Sequence, residues 1–322
     1  MKKILIIGAG AMGAAFTFPC TENNHKVTLT EPYNTKLLKT ISTKKKFHPS
    51  LKINLPKKLV LERFSIGLLK QRWDLIVIAV SSIGMDLIKE NLKYFNFKSR
   101  ILILTKGLKY DAKAKKILTM SEQLNQGKNK FNLSVLKGPC LAKELARKII
   151  SSTIIANKNI NIAKSIGDII STSYYKVEFS NDVKGVEICS AIKNIYSMLI
   201  GAGGGSNTAS SIFTKSINEM VYLTKFFKGK EQTVYGLAGV GDLVSCASHP
   251  DHPSFSTGVR ISQGGSAASR TIDEARAVLS LANRHGIDLP LTKAALAIMT
   301  GQLRPKLVFN DLMRRQARAE ST

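Results

Sequence analysis

Through its first 180 residues the chain alternates short, unbroken apolar runs with segments of helical spacing. Residues 4–7, 75–80 and 101–104 are such runs, 59–61 is a shorter one, and 133–136 reads as the next strand with Ser134 inside it. Four to six apolar residues without polar alternation suit a parallel strand buried on both faces. Val27 and Leu29 alternate with polar neighbours within 25–31, as a further strand would. Residues 152–156 and 174–179 add two more strands around a helix. Helical patterns lie between them, opening at Ala14 and spanning 85–94 and 141–147. Strands alternating with helices predict an α/β sheet that is mostly parallel.

The alternation stops at Asn181-Asp182, and from Val183 the pattern is helical almost to the end. This divides the chain into a domain over 1–182 and an all-helical domain over 183–322. The amphipathic stretch 183–200 runs into Gly201-Ala202-Gly203-Gly204-Gly205-Ser206. That glycine cluster follows a helix and lacks a Gly-Lys-Ser/Thr ending, so it reads as a helix terminator and turn rather than a phosphate loop. Two more helices are expected over 271–284 and 291–301, with a frayed, charged tail from Arg314.

Between the first strand and the first helix stands Gly8-Ala9-Gly10-Ala11-Met12-Gly13. Strand, G-x-G-x-x-G and helix in that order form the dinucleotide-binding fingerprint of a Rossmann-like domain. Gly8 permits the tight turn, Gly10 lets pyrophosphate approach the backbone, and Gly13 lets the helix pack close to the strand. The helix N-terminus then presents free N–H groups to phosphate. Glu31 ends the second strand, 18 residues after Gly13. A carboxylate there accepts hydrogen bonds from ribose hydroxyls and repels a 2′-phosphate, which favours NAD over NADP. Lys36 softens that preference, so NADP stays open.

Composition narrows the function classes. Hydrophobic content of 44% and charged content of 22% are those of a globular protein with a full core. No apolar run reaches the ~18 residues of a membrane span. Met1-Lys2-Lys3 before an apolar run imitates a secretory signal, but the glycines fall at fingerprint spacing and no clean cleavage site follows. Net charge is +26. The lysines are scattered through the first two thirds without interleaved aromatics, which argues for a solvated surface and against nucleic-acid binding. Cys20, Cys140, Cys189 and Cys246 form no C-x-x-C pair, so reduced thiols in a cytoplasmic compartment are expected. Cys246, His249 and His252 are spaced by three, yet they supply too few ligands, in a proline-broken loop, for a metal site. No metal is expected. Gly236, Gly239 and Gly241 precede Asp242, whose simplest reading is a helix N-cap.

Taken together, residues 8–13, Thr105-Lys106-Gly107, Gly138-Pro139-Cys140-Leu141-Ala142-Lys143-Glu144, 187–194 and 236–243 resemble the NAD(P)-dependent glycerol-3-phosphate dehydrogenases of the bacterial type. Their order and spacing cover nearly the whole chain. The resemblance implies a Rossmann-like N-terminal domain, a helical C-terminal domain and a small-molecule substrate between them. It implies reversible hydride transfer between NAD(P)H and dihydroxyacetone phosphate, yielding sn-glycerol 3-phosphate for phospholipid synthesis. A homodimer is compatible with it. Lys193 resembles the family's acid/base residue, and burial or neighbouring cations are expected to lower its pKa. Asp242 resembles the carboxylate that orients this lysine. Lys106 resembles a second lysine near cofactor and substrate. Asn194 and Gly138 fall at substrate positions, and Ala142 lines the cofactor site with Gly8, Gly10, Ala11, Met12, Gly13 and Glu31.

The chain departs from the family pattern in three places. Cys140 stands where the family has serine, and a thiol is the poorer hydrogen-bond partner. The family's Ser-Arg-Asn after Gly-Asp-Leu is replaced in a segment that reads His252-Pro253-Ser254-Phe255, leaving Arg260 as the nearest arginine. Ser269-Arg270-Thr271 replaces a Val-Glu-Gly near the cofactor. These changes keep two alternatives open: a dehydrogenase of another small phosphorylated or carboxylate substrate, and a catalytically impaired NAD-binding sensor or scaffold.

Overall fold

The computed structural model describes residues 1–96, 98–111, 115–126, 131–266 and 269–314, without the side chains of 269–270 and 311–314. The charged tail beyond Arg314 therefore lies outside the described residues. Twelve strands are described: β1 (Lys3–Ile7), β2 (Lys26–Thr30), β3 (Phe47–His48), β4 (Ile53–Asn54), β5 (Val60–Leu61), β6 (Leu75–Ile78), β7 (Arg100–Ile103), β8 (Leu108–Asp111), β9 (Lys116–Thr119), β10 (Leu133–Lys137), β11 (Ser151–Ala156) and β12 (Tyr175–Ser180). Eight of them form one sheet in the order β12-β11-β10-β7-β6-β1-β2-β5. Only the β10–β11 pair within it is antiparallel. The expected α/β architecture is therefore present: the runs at 4–7, 75–80 and 101–104 supply β1, β6 and β7 inside the sheet, and 59–61 supplies the edge strand β5. β6 is buried at all four positions, as its sequence requires.

Helices cover both faces. The first, Ala11–Glu22, packs through Phe16, Ala14 and Ala15 onto the sheet. Phe16 meets Tyr175 of β12 edge-on, with ring centroids 6.2 Å apart. Two hairpins, β3–β4 and β8–β9, were not expected from the pattern. Their strands are only two to four residues long and interrupted by polar residues, so they carry no apolar run to betray them.

From Val183 onward the described residues form helices and their connections, with no strand among them. The helix Val183–Ala202 forms the axis of this part, and seventeen of its twenty residues are buried. Asp182 caps it, accepting from the Gly185 N–H at 2.9 Å. The same carboxylate takes the Lys230 N–H at 2.8 Å and the Thr233 hydroxyl at 2.6 Å, which fastens the helix entrance to a distant turn. The helix Pro253–Ser262 crosses the axis very closely. A Cβ on Gly258 would lie 1.9 Å from the Met198 carbonyl oxygen, so only glycine permits this approach. The crossing brings His252 and Ser254 beside the middle of the axial helix. Among the described residues no helix is long and apolar enough to cross a membrane.

Candidate active site

One side of the site is made by the turn after β1. Gly8 has φ +114°, a conformation L side chains avoid, and a Cβ there would strike the Ala79 backbone at 2.6 Å. A Cβ on Gly13 would lie 1.9 Å from the Gly8 oxygen. Gly10 is different: a Cβ there would meet nothing within 4 Å. Open space at Gly10 and an N-terminus without a side-chain cap on the helix Ala11–Glu22 leave room and free N–H donors for a pyrophosphate. Ala11 and Met12 are half-buried at that terminus. Ala142 starts a short helix, Ala142–Ala146, that packs against the same helix. These residues fit a dinucleotide.

Glu31 has a partner set that spacing alone does not foresee. It is only 7% exposed, and its carboxylate accepts from the Ala9 N–H at 2.6 Å, the Tyr33 N–H at 2.9 Å and the Asn34 N–H at 3.2 Å. Of the roughly four lone-pair sites of a carboxylate, three are engaged by backbone. Glu31 is thus first a clamp joining the turn after β1 to the turn after β2. On the other side of Ala9, buried His48 completes the clamp. Its Nδ1 accepts from the Leu51 N–H, so Nε2 carries the proton and donates to the Ala9 carbonyl at 2.9 Å. His48 carried no signal in the sequence.

Past this turn a cavity of about 270 Å³ runs along the carboxyl ends of β6, β7 and β10, lined by Met12, Ser81, Lys106, Lys137, Gly138 and Cys140 among others. Ligands of open α/β sheets bind at such strand ends.

At the far side of the cleft stands Asp242, 2% exposed. Its Oδ1 accepts from Lys193 Nζ at 2.7 Å, and its Oδ2 from Lys106 Nζ at 2.8 Å and Ser190 Oγ at 3.2 Å. The N-cap reading is corrected: Asp242 is the first residue of the helix Asp242–Ala247, and no side chain caps that helix. A π-helical turn, Leu237–Gly241, precedes it, and there a Cβ on Gly239 would lie 2.0 Å from the Val234 oxygen. Gly239 thus permits a close packing of the turn from which Asp242 meets the axial helix. Ser190 and Lys193, three residues apart, share the helix face that meets it.

Burial alone pushes the Asp242 carboxyl up, but Lys106 and Lys193 outweigh it and hold the group below its ordinary value. Lys193 is 2% exposed, and its pKa is also a correction. Burial pushes it down, but Asp242 and Cys246 push harder, so it lies above the ordinary lysine value rather than below. Lys193 is held as an ammonium ion.

Cys246 belongs to the same cluster. Its Sγ accepts from Lys193 Nζ and lies 3.1 Å from His252 Nε2. His252 Nδ1 takes the Ser254 N–H at 3.3 Å, so Nε2 is the protonated nitrogen that faces sulfur. Burial, with Lys193 adding to it, pushes His252 down to about 4, so its ring is neutral at physiological pH. Asn194 joins through Ser254, whose Oγ donates to its Oδ1 at 3.4 Å.

Gly138 (φ +108°) presents its carbonyl 3.5 Å from Lys106 Nζ, and Cys140 lines the same cavity. Arg260 is not brought to the cluster. It is exposed on the last turn of the helix Pro253–Ser262, bonded to Thr257 Oγ1 and the Ser266 carbonyl, each at 3.3 Å. Ser269 and Arg270 stand in a helix whose side chains there are not described. The structure thus joins Lys106, Lys193, Asp242, Asn194, Gly138 and Cys140 in one cleft, and adds Ser190, Cys246, His252 and Ser254.

Comparison with known proteins accounts for both parts of this cleft. Residues 3–163 match the family profile described as NAD-dependent glycerol-3-phosphate dehydrogenase N-terminus, and residues 182–310 match the C-terminus of the same family. The glycerol-3-phosphate dehydrogenase [NAD(P)+] of Phytoplasma australiense is 29% identical over 336 residues, covering 98% of this chain and 99% of the relative. An NADP(+)-dependent glycerol-3-phosphate dehydrogenase of Archaeoglobus fulgidus is 29% identical over 256 residues, covering 75% of each. The crystal structure of glycerol-3-phosphate dehydrogenase from Coxiella burnetii superposes with a TM-score of 0.87 at 26% identity, over 98% of this chain and 99% of that one.

Proposed function

The chain belongs to the family of NAD-dependent glycerol-3-phosphate dehydrogenases, and from that premise we propose how its own residues carry out reversible hydride transfer between NAD(P)H and dihydroxyacetone phosphate. The observation that carries the proposal is the Asp242 carboxylate bonded at once to Lys193 and Lys106 across the cleft. Bound NAD(P)H supplies the hydride when the ketone is reduced. Negative charge then grows on the carbonyl oxygen. An ammonium has three N–H donors. At Lys193 one is committed to Asp242 and one to Cys246, and the third is left for that oxygen. Held as an ammonium by Asp242, Lys193 stabilises the nascent alkoxide and gives it a proton. In the reverse direction it takes the hydroxyl proton back. Lys106 brings a second positive charge from the sheet side.

Asn194, Ser254 and Gly138 line the cleft as substrate contacts in this reading, with the phosphate against Ser254 and the helix start at Pro253 rather than an arginine fork. The dinucleotide lies on residues 8–13, and the Glu31 charge disfavours a 2′-phosphate. The division at residue 182 separates the dinucleotide-binding unit from the catalytic one. Glycerol 3-phosphate made in the cytoplasm would feed phospholipid synthesis. The partners are small molecules, and nucleic acid has no part in this reading.

The test is NADH consumption on addition of dihydroxyacetone phosphate. The wild-type protein turns over, and Lys193→Ala loses roughly 10²- to 10⁴-fold in kcat, the usual contribution of a positioned acid, with NADH binding unchanged. A folded protein that binds NADH and turns over no dihydroxyacetone phosphate overturns the proposal. A panel of small 2-oxo phosphates and carboxylates then identifies the substrate that the altered loop accepts.

A further inference from the structure

Lys137 has no part in the chemistry so far, yet it lies inside the cleft wall. It is the last residue of β10, 2% exposed, and lines the cavity together with Lys106. A buried ammonium is costly unless paired. Among the described residues it forms no salt bridge. Its Nζ instead donates to two carbonyls, those of Thr105 and of Leu104, the latter at 3.4 Å. Its own carbonyl is fixed by the Thr153 hydroxyl at 2.6 Å.

The identity of those carbonyls gives the side chain its meaning. β7 and β10 run parallel, and their pairing ends at Ile103 and Val135. Beyond that point the chain continues as Leu104-Thr105-Lys106-Gly107, and Gly107 turns it with φ +138°. The backbone of this turn has lost its strand partner on the β10 side, and the Lys137 head group supplies the donors instead. The Thr105 hydroxyl secures the other side through the Val80 carbonyl at 2.8 Å. The next residue is Lys106, which reaches Asp242 at 2.8 Å.

We propose that Lys137 is a positioning residue for hydride transfer: its ammonium locks the Leu104–Thr105 backbone so that Lys106 is delivered to Asp242 and the substrate. The inference rests on the dehydrogenase reading above. Burial pushes the Lys137 ammonium down to about 8, and Lys106 adds to that, while Glu187 and Asp242 oppose it. Those three charged groups face it from the turn after β7, from the axial helix and from the helix Asp242–Ala247. The charged form strengthens both carbonyl bonds and is lost as pH rises through that value.

The experiment compares wild type, Lys137→Met and Lys137→Arg for kcat, KM and their pH profiles, with thermal unfolding and NADH affinity measured in parallel. Wild-type kcat declines as pH rises through about 8. Lys137→Met keeps its NADH affinity, loses about 10- to 100-fold in kcat, the penalty for a misplaced catalytic group, and no longer shows the limb near 8. Lys137→Arg restores turnover, and because a guanidinium does not titrate in this range, its limb disappears while kcat stays high. Should Lys137→Met fail to fold, Lys137→Arg alone decides: a limb retained near 8 overturns the inference. So does a Lys137→Met enzyme with wild-type kcat and profile. No turnover by the wild type instead overturns the dehydrogenase reading, and this inference with it.

Discussion

The two sides of the cleft are built by opposite means. At Gly8 and Gly13 backbone packs on backbone, and a single added carbon on either has no room. At Lys193 and Asp242 the contacts are charge on charge, and the surroundings hold each group ionised. One side is limited by the size of the residues at Gly8 and Gly13; the other is limited by the balance of charge among Lys106, Lys193 and Asp242. In the proposed reaction the first takes the cofactor into a gap, and the second gives the substrate a proton.

The largest effect should come from breaking the charged side at its hinge. Asp242→Asn leaves Lys193 buried and unpaired, a change that costs about 3–5 kcal/mol of stability, and kcat falls with it. The pH dependence sharpens the point. The Asp242 pKa is lowered in the folded state, so its contribution is fully present above the ordinary carboxylate value of ~4. That contribution is lost as pH falls through the lowered folded-state value. The Lys193 pKa is raised, so its contribution is fully present below the ordinary lysine value of ~10.4 and is lost as pH rises through the higher folded-state value. Urea unfolding across this range should show a plateau between the two limits in the wild type. An Asp242→Asn variant whose midpoint follows the wild type at every pH would remove the charge pair from the account.

The glycine side yields a smaller but more discriminating pair. Gly13→Ala forces a Cβ against the Gly8 carbonyl and should cost about 1–3 kcal/mol, as overpacking does. Gly10→Ala projects its methyl into open space and should leave stability within ~0.5 kcal/mol, while weakening NADH binding where the pyrophosphate approaches. Thermal unfolding and NADH titration separate the two. If both variants lose stability equally, the space at Gly10 is not a binding gap.

The same contrast explains what was legible in the sequence. The buried strands declared themselves because four to six consecutive apolar residues have few other homes, and the glycine turn because backbone proximity demands a residue type at fixed spacing. Lys106, Lys193 and Asp242 stand 87 and 49 residues apart in sequence; only the resemblance linked them. Even so, the Lys193 pKa lies above the ordinary value where burial predicts it below, because burial is legible locally whereas the carboxylate that outweighs it arrives by tertiary packing. Glu31 was found by spacing, but its partners, the N–H groups of Ala9, Tyr33 and Asn34, are properties of two turns meeting. His48 and Lys137 match no motif, and Cys246 matches only the spacing of a metal site, since each acts on the backbone or side chain of a remote segment.

Arg260 carries the smallest predicted effect and bears most directly on the altered loop. It was the nearest arginine after a segment where the family carries a phosphate-binding fork, which made it the natural replacement. Its guanidinium, however, is exposed and bonded to Thr257 and Ser266. It also lies seven residues beyond Pro253, about 10 Å along a helix rising 1.5 Å per residue. Ser254, by contrast, sits in the first turn beside Asn194. With the phosphate placed against Ser254 as proposed, Arg260→Ala should change KM for dihydroxyacetone phosphate by less than about 0.5 kcal/mol, roughly twofold. A tenfold or larger rise in KM at unchanged kcat would show that the helix Pro253–Ser262 swings its arginine onto the phosphate. The charged side of the cleft would then be assembled by motion, unlike the glycine side, which is already in place.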